Sequence, residues 1–250
     1  MKQVVLITGG TSGIGMSLAE AYLKQGAAVA VCGRSQAALD RFSDAHPDAL
    51  AIQADVTIDA ARIAMLDAVA NRFGRLDVLI NNAGTFVERN FATGVNTTQD
   101  LEQEVALNLT APIQLTSEAL RRWPTMTAIV FVTSGFALVS PTRAPTYGAV
   151  KAGLHAFAEG LRRQLAPRGT HTYAQKPLLP QLHRRAYTPE ISASFGCLIF
   201  KRLHVRGVER HDRARLPHGR LRSGHIEWRE QVGIKCHHIK GIRFVIFVLL

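Results

Sequence analysis

A chain of 250 residues, 47% of them apolar, is long enough for one large α/β domain with a sizeable core. Three cysteines, Cys32, Cys197 and Cys236, exclude an even disulfide framework and fit a reducing, cytoplasmic setting, and the apolar end IRFVIFVLL (242–250) is about half of the ~20 residues that cross a bilayer as a helix. The net charge of +11 suggests a nucleic-acid or membrane surface until it is located: residues 1–167 hold 14 basic and 14 acidic side chains, leaving 16 basic against 5 acidic, with eight of ten histidines, in 168–250.

Met1 is followed almost at once by a strand-like segment, QVVLIT (3–8), not by the basic, apolar and small-residue succession of a signal peptide. GGTSGIG comes next, then the amphipathic run MSLAEAYLKQG, which Gly26 closes as a helix stop. Strand, glycine-rich turn and helix in this order make a phosphate-binding start, because small residues let the backbone approach a pyrophosphate at the positive helix end. The spacing Gly9, Gly13, Gly15 departs from GxGxxG, and a plain tight turn is the alternative here. AAVAVCG (27–33) is a second strand, whose end meets the adenosine ribose in a doubly wound sheet. Gly33 is followed there by Arg34, with no acid for two ribose hydroxyls; an arginine suits a 2′-phosphate and so NADPH over NADH, the alternative being a solvated arginine at a helix start.

QAALDRFSDAH reads as a helix, ALAIQAD as a third strand ending at Asp55, and IDAARIAMLDAVANRFG as a helix with Ile63, Leu66, Val69, Ala70 and Phe73 on its apolar side. LDVLINNAG is a fourth strand finished by Asn81, Asn82, Ala83 and Gly84. After a polar loop (85–96), the long helix TTQDLEQEVALNLTAPIQLTSEALRRW is predicted to bend just after Asn108, because Pro112 frees backbone groups there. AIVFVTS (128–134) is a fifth strand ending on Ser134, and a loop with Pro141 and Pro145 leads into a helix containing TYGAVKAGLHAF. Tyr147 and Lys151, four residues apart, share one face of that helix. The cation stabilises the phenolate and draws a phenol pKa of about 10 toward neutrality, where it can give and take a proton. Taken alone, such a pair is an ordinary surface pair in many helices. The regular alternation of strands and helices predicts a Rossmann-type doubly wound parallel α/β sheet of order 3-2-1-4-5 over residues 1–167.

Along those residues stand, in order, TGGTSGIG from Thr8, Asp55 after the third strand, NNAG from Asn81, Asn108, Ser134 and YGAVK from Tyr147. With them the chain resembles the short-chain dehydrogenase/reductase family, and EQEVALNLTAPIQLT resembles a subgroup named for a role in D-alanylation of cell-wall polymers. The resemblance implies an NAD(P)-dependent oxidoreductase that reduces a carbonyl or oxidises an alcohol. In it Tyr147 protonates the carbonyl oxygen, Ser134 holds that oxygen, and Lys151 lowers the Tyr147 pKa and binds the nicotinamide ribose, while Asn108 positions a water that relays protons toward Lys151. For Ser134 and Asn108 taken singly, a cap or a satisfied backbone group is the plainer alternative. The implied cofactor is NADP, with NAD as the alternative. Gly9, Ser12, Gly13, Ile14 and Gly15 line its pyrophosphate and adenosine, Asp55 and Val56 its adenine, and Asn82, Ala83 and Gly84 its ribose. A small-molecule carbonyl or alcohol is the implied substrate, and homodimers or tetramers through helices four and five the implied assembly.

After LHAFAEGLRRQLAPRG the family has a sixth strand ending in a Pro-Gly turn, then substrate-loop helices and a last strand. This chain reads THTYAQKPLLPQLHRRAYTP, in which Pro177 and Pro180 lack the glycine and no apolar run marks a central strand. Residues 168–250 are therefore expected to be an aberrant basic segment that packs poorly, the product of a reading-frame shift near residue 170. AIVFVTS would then present an open edge unless IRFVIFVLL covers it. Cys197, Cys236, His237 and His238 lack paired zinc-site spacing, so no metal is expected, and the basic tail implies non-specific attraction rather than a dedicated nucleic-acid or membrane partner. Beside the oxidoreductase stands a second reading, a catalytically inactive nucleotide-binding protein or damaged gene product that keeps the cofactor turn and lacks the substrate wall.

Overall fold

The computed structural model describes residues 1–94, 98 and 100–175, together with the backbone of 238–239 and 242–243. β1 (Val4–Thr8) is buried along its whole length because successive side chains enter two different cores, Val4 and Leu6 one, Val5 and Ile7 the other. A strand apolar on both faces needs helices on both sides, and the chain supplies them alternately. α1 (Gly13–Lys24) leads to β2 (Ala28–Gly33), α2 (Gln36–Ala45) to β3 (Leu50–Gln53), and α3 (Asp59–Phe73) to β4 (Val78–Asn81). α1 and α2 contribute Leu18, Ala19, Tyr22, Leu39 and Phe42 to the core that contains Val5 and Ile7. α3 closes the opposite core with Met65, Leu66 and Val69 and stops at Gly74, whose φ of 73° is the left-handed conformation of a helix end.

Beyond β4 follow α4 (Leu101–Val105), a π-helical turn (Ala106–Thr110), α5 (Ala111–Arg122), β5 (Ala128–Val132), α6 (Pro145–Leu165) and β6 (His171–Gln175). α5 and α6 pack on the same side as α3, through Leu115, Ala119, Leu154, Ala158, Leu161 and Leu165. The sheet order is β3-β2-β1-β4-β5-β6, with every pairing parallel. The strand order reverses at β1 and β4, and a doubly wound sheet binds its ligand outside the carboxyl ends of the strands at that point. Met1–Val205 and Arg206–Leu250 form two compact units, and in the second His238–Ile239 pairs antiparallel with Ile242–Arg243.

Three sequence expectations change. The sixth strand exists: HTYAQ pairs with β5 from Ala128↔His171 to Val132↔Gln175, so the β5 edge is not open. Its pairing with β5 and the packing of Tyr173 and Ala174 on the two cores seat it although no apolar run marks it. Thr170 donates its hydroxyl to Met126 O at 2.9 Å and His171 N donates to Thr127 O at 2.9 Å, starting the register. Secondly, the apolar side expected of α3 packs on the core at Leu66, Val69, Ala70 and Phe73 but not at Ile63. Ile63 is 46% exposed on a surface groove with Leu66, Glu118, Arg121 and Arg122, while Arg62 is 1% exposed. The reason is polar: Arg62 Nε donates to Glu118 Oε2 at 3.1 Å, Nη1 to Val56 O at 2.9 Å and Nη2 to Asp59 at 2.5 Å, and that fully engaged guanidinium outcompetes an isoleucine for the interior. Thirdly, the long helix is continuous from Leu101 to Arg122, and the irregularity expected beside Asn108 takes the form of a π turn over Ala106–Thr110. The expected Pro-Gly turn region with Pro177 and Pro180, the combination of Cys197 with Cys236, His237 and His238, and the apolar terminus lie outside the described residues, apart from the backbone of the short ladder.

Candidate active site

The glycine turn sits on the β1–β4 junction. Thr8 Oγ1 accepts from Asn82 N at 2.9 Å and Ala83 N at 3.0 Å, and Asn82 Nδ2 donates to Thr8 O at 2.9 Å and Gly9 O at 3.1 Å. Gly9 has φ of +64°, and a Cβ there would stand 3.1 Å from Ala83 Cα; at Gly15 a Cβ would collide with Gly9 O. Gly10, absent from the sequence-based site, is equally constrained, its Cβ position lying 2.5 Å from Val31 Cγ1. Over Gly13, at the head of α1, nothing approaches a Cβ within 4 Å; Ser12 is an exposed N-cap, and the first turn carries no acidic residue. Ile14 packs its side chain on the sheet core. An open, backbone-lined turn at the positive end of a twelve-residue helix fits a pyrophosphate. Cys32, beneath it, is no nucleophile, since burial pushes its thiol up to about 12.

At the far end of this crevice Arg34 is exposed, and its carbonyl accepts from Gln53 Nε2 at 3.1 Å. Ser35 Oγ caps α2 by accepting from Ala38 N at 3.3 Å. Partial burial pushes the Asp55 carboxyl upward, yet donation from Thr57 N at 2.9 Å and Thr57 Oγ1 at 2.7 Å, with the Arg34 charge, holds it below the usual carboxylate range. Val56 buries its side chain in the core and gives its carbonyl to Arg62.

At the carboxyl ends of β4 and β5 the remaining residues converge. Tyr147 is half-buried, its ring edge-on to Phe86 (centroids 4.9 Å, 71°) and Phe136 (6.3 Å, 79°). Lys151, one turn on and 4% exposed, stands with Nζ 5.8 Å from the Tyr147 ring centroid and donates to Val132 O at 3.0 Å. Asn108 is wholly buried; its Oδ1 accepts from Thr85 N at 2.9 Å and its Nδ2 donates to Thr85 O at 2.8 Å. Gly84 lies between them, since a Cβ there would be 2.7 Å from Asn108 Oδ1 and 3.5 Å from Lys151 Nζ. Ser134 Oγ accepts from Phe136 N at 3.2 Å, which fixes the turn that brings the Phe136 ring to Tyr147. Lys151, Tyr147, Gly84 and Asn108 thus form one cluster, and Ser134 joins it through Phe136. Phe86 and Phe136 escaped the sequence reading because nothing local marks an aromatic in a polar loop as a neighbour of Tyr147. Thr8 begins the glycine motif, and nothing local marks its clasp on Asn82 across 74 residues. Among the described residues, no three His, Cys, Asp or Glu side chains group to hold a metal, and no helix is long and apolar enough to cross a membrane.

Burial pushes the Lys151 amine down from 10.5 to about 8. Below about pH 8 the folded and unfolded chains both carry this proton, and the folded one bears the whole cost of the buried charge. Between about 8 and 10.5 the unfolded chain keeps the proton and the folded chain releases it, so stability rises with pH. Relative to Lys151→Met, the natural chain is expected to gain about 3 kcal/mol across that window in urea titrations. Parallel stability curves would return the amine to its ordinary value.

A short chain dehydrogenase family model matches residues 3–178. An uncharacterized oxidoreductase of Bacillus subtilis strain 168, DltE, is 38% identical over 167 residues, 66% of this chain and 66% of that protein, so the chain spans about two thirds of this relative's length. A short-chain dehydrogenase from Streptomyces avermitilis superposes with a TM-score of 0.70 at 27% identity, covering 82% of this chain and 85% of that one. A 3-ketoacyl-(acyl-carrier-protein) reductase from Brucella melitensis, complexed with NADH, superposes with a TM-score of 0.65 at 25% identity over 70% and 75% of the two chains. The glycine turn at the sheet's switch point, the Tyr147–Lys151 helix and a family match over most of the sequence agree, and the chain belongs to the short chain dehydrogenase family.

Proposed function

We propose that the chain interconverts a small-molecule carbonyl and its alcohol with NADP(H) as the preferred cofactor. The observation that carries this reading is the half-buried phenol of Tyr147 beside the buried amine of Lys151, which no carboxylate pairs among the described residues. When bound, the nicotinamide exchanges a hydride with the carbonyl carbon. Tyr147 gives its proton to the carbonyl oxygen, and the Lys151 charge stabilises the phenolate left behind. Ser134 Oγ accepts from Phe136 N and so keeps its own O–H to donate to the same oxygen. The Asn108 amide is engaged on both sides by Thr85, so its part in a proton relay falls to its backbone carbonyl, which Pro112, having no N–H, cannot serve as the next helical turn would.

Gly9, Ser12, Gly13, Ile14 and Gly15 would hold the pyrophosphate and adenosine, Asp55 and Val56 the adenine, and Asn82, Ala83, Gly84, Tyr147 and Lys151 the ribose and nicotinamide. Arg34 selects the 2′-phosphate, being exposed at the end of β2 where an acid would favour free ribose hydroxyls. Arg34→Ala is expected to weaken NADPH by about 10- to 100-fold, the worth of a charge-assisted contact, and NADH by less than about twofold, in equilibrium titrations of both. Equal losses would remove the preference for NADPH. Assembly through α4–α5 and α6, and a cytoplasmic setting, belong to the same proposal.

A second reading is favoured by one observation, that the family match ends at residue 178 where the sequence loses its period. In this reading a reading-frame shift, placed after the sixth strand by the extent of the family match, has left a nucleotide-binding protein without a substrate wall. Thermal stabilisation by NADPH with loss of NADPH absorbance on a panel of aldehydes and ketones selects the enzyme; stabilisation without turnover selects the second reading. Other frames of the coding DNA that yield no family-like strand and Pro-Gly turn would sink the frame shift.

A further inference from the structure

We infer that Arg89, Glu104 and Thr146 are positioning residues for Tyr147, an assignment that rests on the reading of Tyr147 as the proton donor. Arg89 lies on the loop after β4, Glu104 on α4, and Thr146 in the first turn of α6, next in sequence to Tyr147. Their side chains close a triangle. Arg89 Nη2 donates to Glu104 Oε2 at 3.2 Å, Arg89 Nε donates to Thr146 Oγ1 at 3.1 Å, and Thr146 Oγ1 donates to Glu104 Oε2 at 2.7 Å. The backbone adds a fourth tie, Arg89 N to Arg143 O at 2.9 Å, just before the helix begins. Both charged side chains are 0% exposed.

Stability is a poor reason for such a network. Removing two charges from water costs about as much as their attraction returns, and Glu104 Oε1 is buried with no hydrogen-bond partner among the described residues, which makes the balance worse. What the triangle does supply is direction. The Thr146 hydroxyl accepts from one partner and donates to the other, so its bond vector, and with it the rotation of the first turn of α6, is set at two points. Ala144 makes no side-chain cap and Pro145 has no N–H, so the two bonds of the Thr146 hydroxyl add to the edge-on contacts of Tyr147 with Phe86 and Phe136 in fixing that turn. Tyr147 is the next residue, and a proton donor misplaced by about 1 Å loses roughly a hundredfold in rate. The three side chains touch neither substrate nor cofactor in this scheme; they act through the helix that carries the phenol.

The test compares Thr146→Val, which keeps the shape and removes the hydroxyl, with Thr146→Ser, which keeps the hydroxyl. The valine variant is expected to lose about 10- to 100-fold in kcat, with the carbonyl KM and the NADPH Kd within about threefold, while the serine variant stays within about threefold throughout. The double variant Arg89→Met/Glu104→Leu removes the buried charges together and is expected to keep or raise Tm while showing the same loss of kcat, which separates positioning from stability. A readout that needs no substrate is the near-ultraviolet phenol titration of Tyr147, taken as the natural chain minus Tyr147→Phe. Its midpoint is expected to move in Thr146→Val and in the double variant but not in Thr146→Ser, because the phenol changes its distance from Lys151. Should the natural chain turn over no carbonyl, the oxidoreductase reading fails by itself and this titration still decides the positioning role. Natural kcat or an unmoved midpoint in Thr146→Val, or a serine variant as impaired as the valine one, overturns the assignment.

Discussion

Tyr147→Phe is expected to abolish turnover, by at least about 10²- to 10⁴-fold, while NADPH binding stays within about threefold. The substitution removes one oxygen and keeps the ring, so the edge-on contacts with Phe86 at 4.9 Å and Phe136 at 6.3 Å survive and the first turn of α6 stays where Thr146 pins it. The buried Lys151 amine also stays, held by Val132 O at 3.0 Å. Nothing that binds cofactor is lost except one hydroxyl, whereas the group that gives the proton is gone. Single-turnover loss of NADPH absorbance, with binding followed separately by thermal shift, distinguishes the two effects. A variant retaining a tenth or more of the natural rate, as an order of magnitude, would place the proton donor elsewhere.

The second large effect is expected at the other end of the crevice. Gly15→Ala places a methyl group against Gly9 O and 2.5 Å from Asn82 Nδ2, and neither can yield cheaply. Gly9 O belongs to the turn itself, and the Asn82 amide is held by Thr8 O and Gly9 O. The turn must open, at a cost of about 1–3 kcal/mol for an overpacked site, and NADPH binding is expected to be lost because the backbone donors no longer face one point. Gly160→Ala is the control. That glycine lies in α6 with nothing within 4 Å of its Cβ position, and alanine there is expected to raise stability by up to about 1 kcal/mol. Chemical denaturation of both variants, with NADPH titrated into each, makes the comparison; an alanine at residue 15 that binds NADPH normally would mean that the turn is not the pyrophosphate cradle.

The sequence by itself determined whatever depends on residues close together in the chain. Val4 to Ile7 are apolar without alternation because both faces of a central parallel strand are covered, and that pattern is legible at a glance. The glycine turn, the order of strands and helices and the placing of Tyr147 and Lys151 on one helical face follow from spacings of one to eight residues. Tertiary structure alone decided the features made by partners far apart in the chain. Arg62 reaches Glu118 across 56 residues and is buried while Ile63 beside it is exposed; Asn108 clasps Thr85 across 23; Arg89 meets Thr146 across 57. β6 belongs to the same class, since HTYAQ becomes a strand through hydrogen bonds to β5 rather than through an apolar pattern of its own. Local periodicity reports which face of a segment tends to leave water, while a buried polar group takes its place only when a distant partner satisfies it, and that partner is chosen by the folded chain.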